Sequence, residues 1–429
     1  MKRSLFRLIV TTSICIVIAA VSAVTFVCRR GPTAHSSNAG DPISPPPLIS
    51  WSLLLYDDAD FPDAYDPLDD FAAKVYSSSH VNALVLQDTE KDGSAQIWHI
   101  GNNHEKNPIY SFSSEINMGN PATLEAFLAI ADSLYPSDRM IVAFYDHGMA
   151  WTGACIDKTS DYDHLTMDEI QKGLEARGGV DMICFTAPCN MGHFEGAYEL
   201  RALTRVYMGS EATSGYVLWE NPMEQICQTL QTEPDIDIHE LGRRIVRWIE
   251  SNAVTFSDLG REIYTMSAVR TDQMEDVRAA LDALCTEFLK DIPGFAARFD
   301  SVSNSIMAHT RYRMMDMVHM AKRFLELDWP DAIHTRLETL EQTVLEAILA
   351  ESHGWGQDNN FGLTIYFPPP YQINPSLLEY CDPGYGLDLS SESLWDDLIQ
   401  AYQHHVLLST DAFYRNASPV SDGYHFPVK

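Results

Sequence analysis

The chain has 429 residues, 45% of them hydrophobic and 21% charged, which is an ordinary balance for a globular protein with a sizeable core. Its formal net charge is -31. A surface of this sign repels phosphate, so the composition argues against nucleic acid as a partner and favours solubility, basic partners or bound cations. The eight cysteines include no C-x-x-C pair and no zinc-like spacing, and a chain of this length needs no disulfide framework.

Residues 1–30 are typical of a targeting element. Three basic residues precede residues 8–28, an uncharged stretch of 21 residues that is long enough to span a bilayer. Two interpretations remain open: a signal peptide that is cleaved after Ala23, or a signal anchor that stays in the membrane with its amino end inside. Either one places the rest of the chain outside the cytoplasm, secreted or membrane-anchored. Residues 31–48 contain five prolines and predict an extended linker.

Short apolar runs alternate with helical patterns from residue 49 onward. A helix is predicted at 66–76, and three runs predict strands, at 51–56, 81–87 and 96–100. Asn120 followed by Pro121 predicts the start of another helix, because Asn caps free N–H groups and Pro fits the first helical position. This alternation of strands and helices predicts the α/β class.

Two of the apolar runs stop abruptly at a reactive residue. The first, 140–145, leads to His147, and the second, 181–186, leads to Cys189. In open α/β sheets the chemistry lies at the carboxyl ends of such strands, and a thiol nucleophile requires a base such as histidine. We therefore predict a Cys–His dyad that performs acyl transfer, that is, peptide hydrolysis. A packed structural cysteine and an ordinary histidine are the simpler alternative.

Two neighbouring features fit this chemistry. Gly148 leaves the backbone open, so its N–H is the candidate donor to a developing oxyanion. Cys189 is predicted to lie just before a helix at 192–203, whose amino end favours the thiolate. The polar residues after Trp151 predict a surface loop, and Thr166-x-x-Glu169 is a capping box that opens the next helix. Further along, the spacing predicts a strand at 205–210, helices over 237–352, a late strand at 361–367 and a terminal helix at 391–402.

This order of motifs resembles the clostripain-like cysteine peptidases. That family ends one strand in Asp-His-Gly followed by Trp, as at 146–151 here. It ends a second strand in Asp-Ala-Cys-Leu-Met followed by Glu-x-Ala-Tyr-Glu-Leu, and the corresponding residues are 187–191 and 195–200. The resemblance covers roughly residues 50–405 in order. Weaker matches lie at Met118-Gly119-Asn120-Pro121, 165–169, Ser210-Glu211, 362–368 and Trp395.

The resemblance implies a caspase-like fold, in which a mostly parallel sheet is flanked by helices in three αβα layers. It implies a catalytic core at 49–236, a helical region at 237–352 and a C-terminal part at 353–429 that returns a late strand to the domain. His147 would act as the base and Cys189 as the nucleophile on a peptide or protein substrate, with no cofactor required for the dyad. The motifs do not set the oligomeric state.

Three departures from the family pattern surround the cysteine. Ala187, the S1 pocket candidate, stands where the family has an Asp that goes with a preference for Arg or Lys at the cleaved position. We therefore expect basic specificity to be weakened or lost, and with it self-cleavage at Lys158, which lies in the loop where the family self-cleaves. Pro188 and Asn190 also differ from the family. Two interpretations remain open: a peptidase with altered preference, or a catalytically inactive peptide-binding or envelope protein that kept the fold.

Four acidic residues follow the first predicted strand, namely Asp57, Asp58, Asp60 and Asp63. They could hold calcium, which some family members use. Their spacing departs from that of an EF-hand loop, so a solvated acidic turn is the alternative.

Overall fold

The structure is a computed structural model that describes residues 49–60, 67–91, 95–214, 220–253, 264–306, 312–368 and 375–409. The targeting element and the Pro-rich linker predicted at 1–48 lie outside these ranges. No helix within the ranges combines the length and the apolar character that crossing a membrane requires. All six cysteines that the ranges contain are free thiols.

The described residues form the following strands and helices. The strands are β1 (Ile49–Ala59), β2 (Val81–Thr89), β3 (Gln96–Ile100), β4 (Lys106–Ser111), β5 (Ser137–Tyr145), β6 (Ala154–Asp157), β7 (Asp163–Leu165), β8 (Met182–Phe185), β9 (Val206–Gly209), β10 (Thr265–Arg270), β11 (Met314–Asp316), β12 (Ile348–His353) and β13 (Thr364–Tyr366). The helices are α1 (Pro67–Lys74), α2 (Pro121–Leu134), α3 (Met167–Glu175), α4 (Phe194–Glu199), α5 (Glu220–Thr232), α6 (Ile238–Asn252), α7 (Met274–Phe288), α8 (Ile292–Ile306), α9 (Met317–Leu325), α10 (Asp331–Ala347), α11 (Pro375–Tyr380), α12 (Asp388–Glu392) and α13 (Trp395–Ser409).

Nine of the strands form one mixed sheet in the order β12-β10-β9-β8-β5-β1-β2-β3-β4. The five central strands, β9, β8, β5, β1 and β2, are parallel. The two strands at each edge pair antiparallel with their neighbours. The chain runs from β1 outward to β2 and then returns to the other side of β1 with β5, so the order of the strands reverses between β1 and β5. Ligand crevices of open α/β sheets form at the carboxyl ends of strands at such a reversal.

Helices cover both faces of the sheet. Alternate residues of β1 enter two separate cores: Trp51, Leu53 and Leu55 face one, and Leu54 and Tyr56 face the other. The first core is closed by α1, α5 and α6, and the second by a larger set that includes α2, α3, α4 and α7. Burial on both faces explains why the central strands are continuous apolar runs without polar alternation. The predicted three-layer αβα architecture is confirmed.

The two predicted helix starts are confirmed at the level of hydrogen bonds. The side chain of Asn120 accepts from the N–H of Ala122 at 3.0 Å, and Pro121 is the first residue of α2. Thr166 Oγ1 accepts from the N–H of Glu169, and Glu169 Oε2 accepts from the N–H of Thr166 at 3.1 Å, which completes the capping box of α3.

The helical region predicted at 237–352 contains strands in addition to its helices. β10 and β12 lie in this range and complete one edge of the nine-stranded sheet, and β11 pairs with β13. The helical spacing of α10 runs on to Ile348, which is the first residue of β12, so the pattern alone hides the change of structure. The late strand β13 therefore belongs to a separate two-stranded sheet, and a bridge between Thr364 and His193 ties it to the segment after Cys189.

The predicted surface loop after Trp151 is also partly a strand pair. β6 and β7 form an antiparallel hairpin. All four residues of β6 are buried, although Asp157 ends the strand. Polar residues at 157–164 are typical of a loop, and the strand pairing of this hairpin cannot be read from their composition.

Candidate active site

The segments that carry His147 and Cys189 leave the sheet side by side. They follow β5 and β8, which are parallel neighbours, with Ile141 opposite Met182 and Ala143 opposite Cys184. His147 is exposed and Cys189 is half-buried. The two backbones touch at Gly148, where an added Cβ would lie 2.2 Å from the carbonyl oxygen of Cys189 and 2.9 Å from its amide nitrogen. A side chain cannot fit there, so the approach of the two strand ends requires glycine.

The hairpin β6–β7 holds the His147 segment from outside the sheet. Asp146, with φ at 139°, lies in a region that residues other than glycine rarely adopt. Its Oδ2 accepts from the N–H of Ile156 at 2.6 Å, and the carbonyl of His147 accepts from the N–H of Cys155 at 3.0 Å. A strained conformation that neighbouring contacts maintain directly before a reactive residue is typical of functional sites.

The N–H of Gly148 stays outside the pairing with this hairpin. Gly148 and Ala154 are bridge partners, but the hydrogen bonds of the bridge come from the N–H groups of Met149, to Gly153, and of Cys155, to His147. This geometry fits the role of oxyanion donor predicted for Gly148, because the N–H of Gly148 makes neither hydrogen bond of the bridge.

A loop after β9 holds the thiol of Cys189. The N–H of Ser214 donates to Sγ at 3.3 Å, and Sγ lies 3.8 Å from the carbonyl oxygen of Ser214. An N–H that donates to sulfur favours the thiolate. Ser214 has no signature in the sequence, because the contact uses its backbone and does not depend on residue type.

The helix that follows Cys189 is shorter and later than predicted. It begins at Phe194 and ends at Glu199, where 192–203 was expected, and His193 caps it through Nδ1, which accepts from the N–H of Gly196 at 3.0 Å. Dipole effects act within the first turn of a helix, and Cys189 lies five residues before Phe194. The prediction that the helix amino end stabilises the thiolate is therefore replaced by the contact with Ser214.

The two departures next to Cys189 occupy distinct positions. Asn190 has a φ of 59°, a left-handed conformation that Asn adopts more readily than most residues, and its N–H donates to the carbonyl of Ala212 at 2.9 Å. This conformation is a physical reason for Asn at a position where the family has an apolar residue. Pro188 is buried, and its carbonyl accepts from the hydroxyl of Ser214 at 3.5 Å.

Ala187 and Lys158 have different surroundings. Ala187 is half-buried, and its methyl group packs against the core closed by α1, α5 and α6. Lys158 follows β6, and its Nζ lies 2.7 Å from Oε1 of Glu90. This hydrogen bond raises the pKa of Lys158. The candidate self-cleavage residue is thus held in an ion pair at the surface.

The Glu-x-Ala-Tyr-Glu-Leu motif has a structural role. All six residues of α4 are buried. Oε1 of Glu195 accepts from the N–H of Tyr366 at 2.8 Å and from the hydroxyl of Tyr380 at 3.1 Å. Oε2 of Glu199 accepts from the N–H of Asp388 at 2.8 Å. The two carboxyl groups therefore fasten the segment after the thiol to the C-terminal part of the chain.

Helices on both faces of a sheet with five parallel central strands make this a three-layer αβα protein with the caspase-like fold. The sequence profile of the clostripain family matches residues 67–402. The chain therefore belongs to the clostripain family.

One curated relative and two solved structures are similar to the chain. Clostripain from Hathewaya histolytica is 32% identical over 101 residues, which span 20% of this chain and 19% of that relative. A secreted C11 cysteine protease from Bacteroides thetaiotaomicron, in complex with an irreversible peptide inhibitor, superposes with a TM-score of 0.60 and 16% identity over 80% of this chain and 99% of its own. An inactive zymogen C11 protease from Parabacteroides distasonis superposes with a TM-score of 0.59 and 16% identity. The match covers 81% of this chain and 99% of that one. At such identities the structures show the fold alone.

Proposed function

We propose that the protein is a cysteine endopeptidase in which Cys189 is the nucleophile and His147 is the base. The observation that carries this proposal is the contact of Gly148 with the backbone of Cys189, which joins the ends of two parallel strands at one edge of the sheet. Membership of a family with cysteine protease relatives supports the same reaction class.

The proposed reaction uses these groups in the following order. His147 removes the thiol proton of Cys189, and the thiolate attacks the carbonyl carbon of the scissile bond. The N–H of Gly148 donates to the oxyanion of the tetrahedral intermediate. His147 then returns the proton to the departing amine and leaves a thioester. Water, deprotonated by His147, hydrolyses this thioester and restores the thiol.

The preference at the cleaved position follows from Ala187. A methyl group offers no charge to an Arg or Lys side chain, and a buried substrate cation without a partner costs several kcal/mol. Substrates with uncharged side chains at the cleaved position are therefore expected to be preferred. For the same reason the enzyme should cut poorly after its own Lys158.

Two observations support an extracytoplasmic location for the protein. The chain starts with a basic segment and an uncharged stretch of 21 residues, and its structural relatives include secreted proteases. We infer an extracytoplasmic peptidase, either secreted after cleavage following Ala23 or anchored by residues 1–30. Its substrates are peptides or proteins.

The test is covalent labelling with biotinylated peptide acyloxymethyl ketones that vary in the residue next to the reactive group. Wild type is expected to be labelled at Cys189, with little labelling in His147→Ala and none in Cys189→Ala. Cys184→Ala, which removes a buried thiol from β8, the strand before Cys189, is the matched control and should label like wild type. Absence of labelling, with peptide binding retained, would instead support an inactive peptide-binding relative.

A further inference from the structure

Buried carboxyl groups lie at several places in the structure. Three of the acidic residues that follow the first predicted strand are at most 1% exposed and so do not form a solvated turn: Asp57, Asp58 and Asp60. The fourth, Asp63, lies outside the described residues. Glu211 and Asp316 are 1% and 0% exposed. Glu211 follows β9 and begins the loop that holds the thiol of Cys189, so this pair is connected to the candidate active site.

The carboxyl groups of Glu211 and Asp316 lie side by side on two consecutive N–H groups. Oδ2 of Asp316 accepts from the N–H of Phe361 at 2.8 Å, and Oε2 of Glu211 accepts from the N–H of Gly362 at 3.1 Å. The two carboxyl groups are also in hydrogen-bond contact with each other. Ionised carboxylates accept hydrogen bonds and cannot donate them, so this contact requires one proton. The pair therefore shares a proton.

The surrounding donors favour Glu211 as the residue that carries this proton. Asp316 caps α9, where its Oδ1 accepts from the N–H of His319 at 2.6 Å, so both of its oxygens accept from backbone N–H groups. Oε1 of Glu211 is buried and has no donor among the described residues. Burial and the charge of Asp316 raise the pKa of Glu211 well above its ordinary value. Burial also raises the pKa of Asp316, but the hydrogen bonds that it accepts oppose this effect.

The titratable groups near the pair do not remove the need for this proton. Glu351 of β12 adds a further negative charge, and its Oε1 lies 2.5 Å from Nδ1 of His353. His319 is neutral near pH 7, because burial lowers its pKa. The ammonium of Lys322 in α9 lies 3.9 Å from the centre of the Phe361 ring and 4.0 Å from a carboxylate oxygen of Glu341.

The residues directly after Glu211 hold the segment that carries the thiol. The carbonyl of Ala212 accepts from the N–H of Asn190 at 2.9 Å, and the N–H of Ser214 donates to Sγ of Cys189 at 3.3 Å. A displacement of Glu211 would therefore move the N–H that faces the sulfur.

We propose that Glu211 is a positioning residue, and that the proton it shares with Asp316 holds residues 211–214 against Cys189. The effect on catalysis rests on the proposed function, whereas the shared proton does not. Removal of this proton would bring two buried negative charges into contact, and like charges at such a distance disfavour ionisation of both groups. Activity should therefore fall as the pH rises through the pKa of Glu211, because the loop separates from the thiol.

The shared proton is tested by infrared spectroscopy, which distinguishes the carbonyl band of a protonated carboxyl group from that of a carboxylate. The difference spectrum between wild type and Glu211→Gln at pH 7 should contain a protonated carboxyl band, and this band should disappear at alkaline pH. The measurement does not require an active enzyme, so it is informative even when the proposed function fails. Absence of the band at pH 7 would overturn the proposal.

The positioning role is tested by the pH profile of kcat/KM for a peptide with Leu at the cleaved position. Glu211→Gln donates to Asp316 without titrating, and Asp316→Asn donates to an ionised Glu211. Either variant should keep wild-type activity near pH 7 and shift the alkaline loss of activity to higher pH, and one folded variant suffices. Asp396→Asn removes a buried carboxyl group of α13, whose pKa is raised to about 6, and should keep the wild-type profile.

Glu211→Ala separates this role from simple removal of a charge. It lacks the donor to Asp316 and should lower kcat/KM by about tenfold or more relative to Glu211→Gln. Iodoacetamide should also alkylate Cys189 several-fold more slowly at pH 7 in Glu211→Ala, a readout that needs no peptide hydrolysis. The proposal is overturned if the alkaline loss of activity stays at the wild-type pH in the folded Gln or Asn variant. Equal alkylation rates in folded Glu211→Ala and Glu211→Gln would also overturn it.

Discussion

Gly148 and Cys189 are in backbone contact, and an added Cβ on Gly148 would lie 2.2 Å from the carbonyl oxygen of Cys189. The clash involves backbone atoms and cannot be relieved by rotating a side chain. Gly148→Ala should therefore separate the two strand ends and lower kcat/KM by about 100-fold or more, since small displacements of reacting groups cost that much. Peptide hydrolysis measured beside the rate of acyloxymethyl ketone labelling checks this.

The matched control for Gly148→Ala is Gly384→Ala. At Gly384 the nearest atom to an added Cβ is Oδ1 of Asp382 at 3.1 Å, the end of a flexible side chain in an exposed turn. This variant should keep wild-type activity. Near-normal activity of Gly148→Ala would show that the contact does not set the geometry of the site.

Ser214 allows a test of how the thiol is held. Ser214→Pro removes the N–H that donates to Sγ of Cys189, whereas Ser214→Ala keeps this N–H and removes the hydroxyl. We expect iodoacetamide to alkylate Cys189 several-fold more slowly at pH 7 in Ser214→Pro than in Ser214→Ala. The N–H that Ser214→Pro lacks favours the thiolate, which is the form that iodoacetamide alkylates. Equal rates in two folded variants would rule out this role of Ser214.

Ala187 allows a gain-of-function test of specificity. Ala187→Asp introduces the carboxylate that family members carry, and should raise kcat/KM for substrates with Arg at the cleaved position relative to Leu by about tenfold or more. Ala187→Asn has the same shape without the charge and should leave the ratio near that of wild type. A wild-type enzyme that already strongly prefers Arg would contradict the inference from the missing charge.

Glu199 should make stability depend on pH. Burial raises its pKa to about 8, opposed in part by the hydrogen bond from the N–H of Asp388. Between about pH 5 and pH 8, Glu199 is therefore protonated in the folded state and ionised in the unfolded state. The contribution of Glu199 to stability is complete at low pH. It declines by up to about 1.4 kcal/mol per pH unit across this interval.

Glu199→Gln removes that titration while keeping an acceptor for Asp388. Urea unfolding of wild type and variant at pH 5, 7 and 8.5 measures the difference, and wild type should lose stability relative to Glu199→Gln as the pH rises. Glu338→Gln, on the exposed face of α10, should parallel wild type at every pH. A constant difference between wild type and Glu199→Gln would place the titration of Glu199 outside this range.

The sequence predicted the parts of the structure that depend on local residue patterns, such as a helix cap or a continuous apolar run. Asn120 caps α2, and the ends of two apolar runs indicated His147 and Cys189, because continuous apolar runs mark strands that are buried on both faces. The strand β12 was hidden because Ile348 continues the helical spacing of α10.

The residues that could not be predicted act through backbone groups or distant contacts. Ser214 contributes an N–H that any residue except proline has, and its distance from Cys189 along the chain gives no local signal. Asp316 lies far from Glu211 along the chain, and only the fold places their carboxyl groups side by side.

The carboxyl groups of Glu195 and Glu199 also limit how far this protein can be shortened. Both lie in α4, and their donors come from Tyr366, Tyr380 and Asp388. A minimal fragment that ends at residue 236 would lack these donors. The buried carboxyl groups of Glu195 and Glu199, a few residues after Cys189, would then lose these hydrogen bonds. Attempts to produce a compact version for biotechnology should therefore retain the chain at least through residue 388.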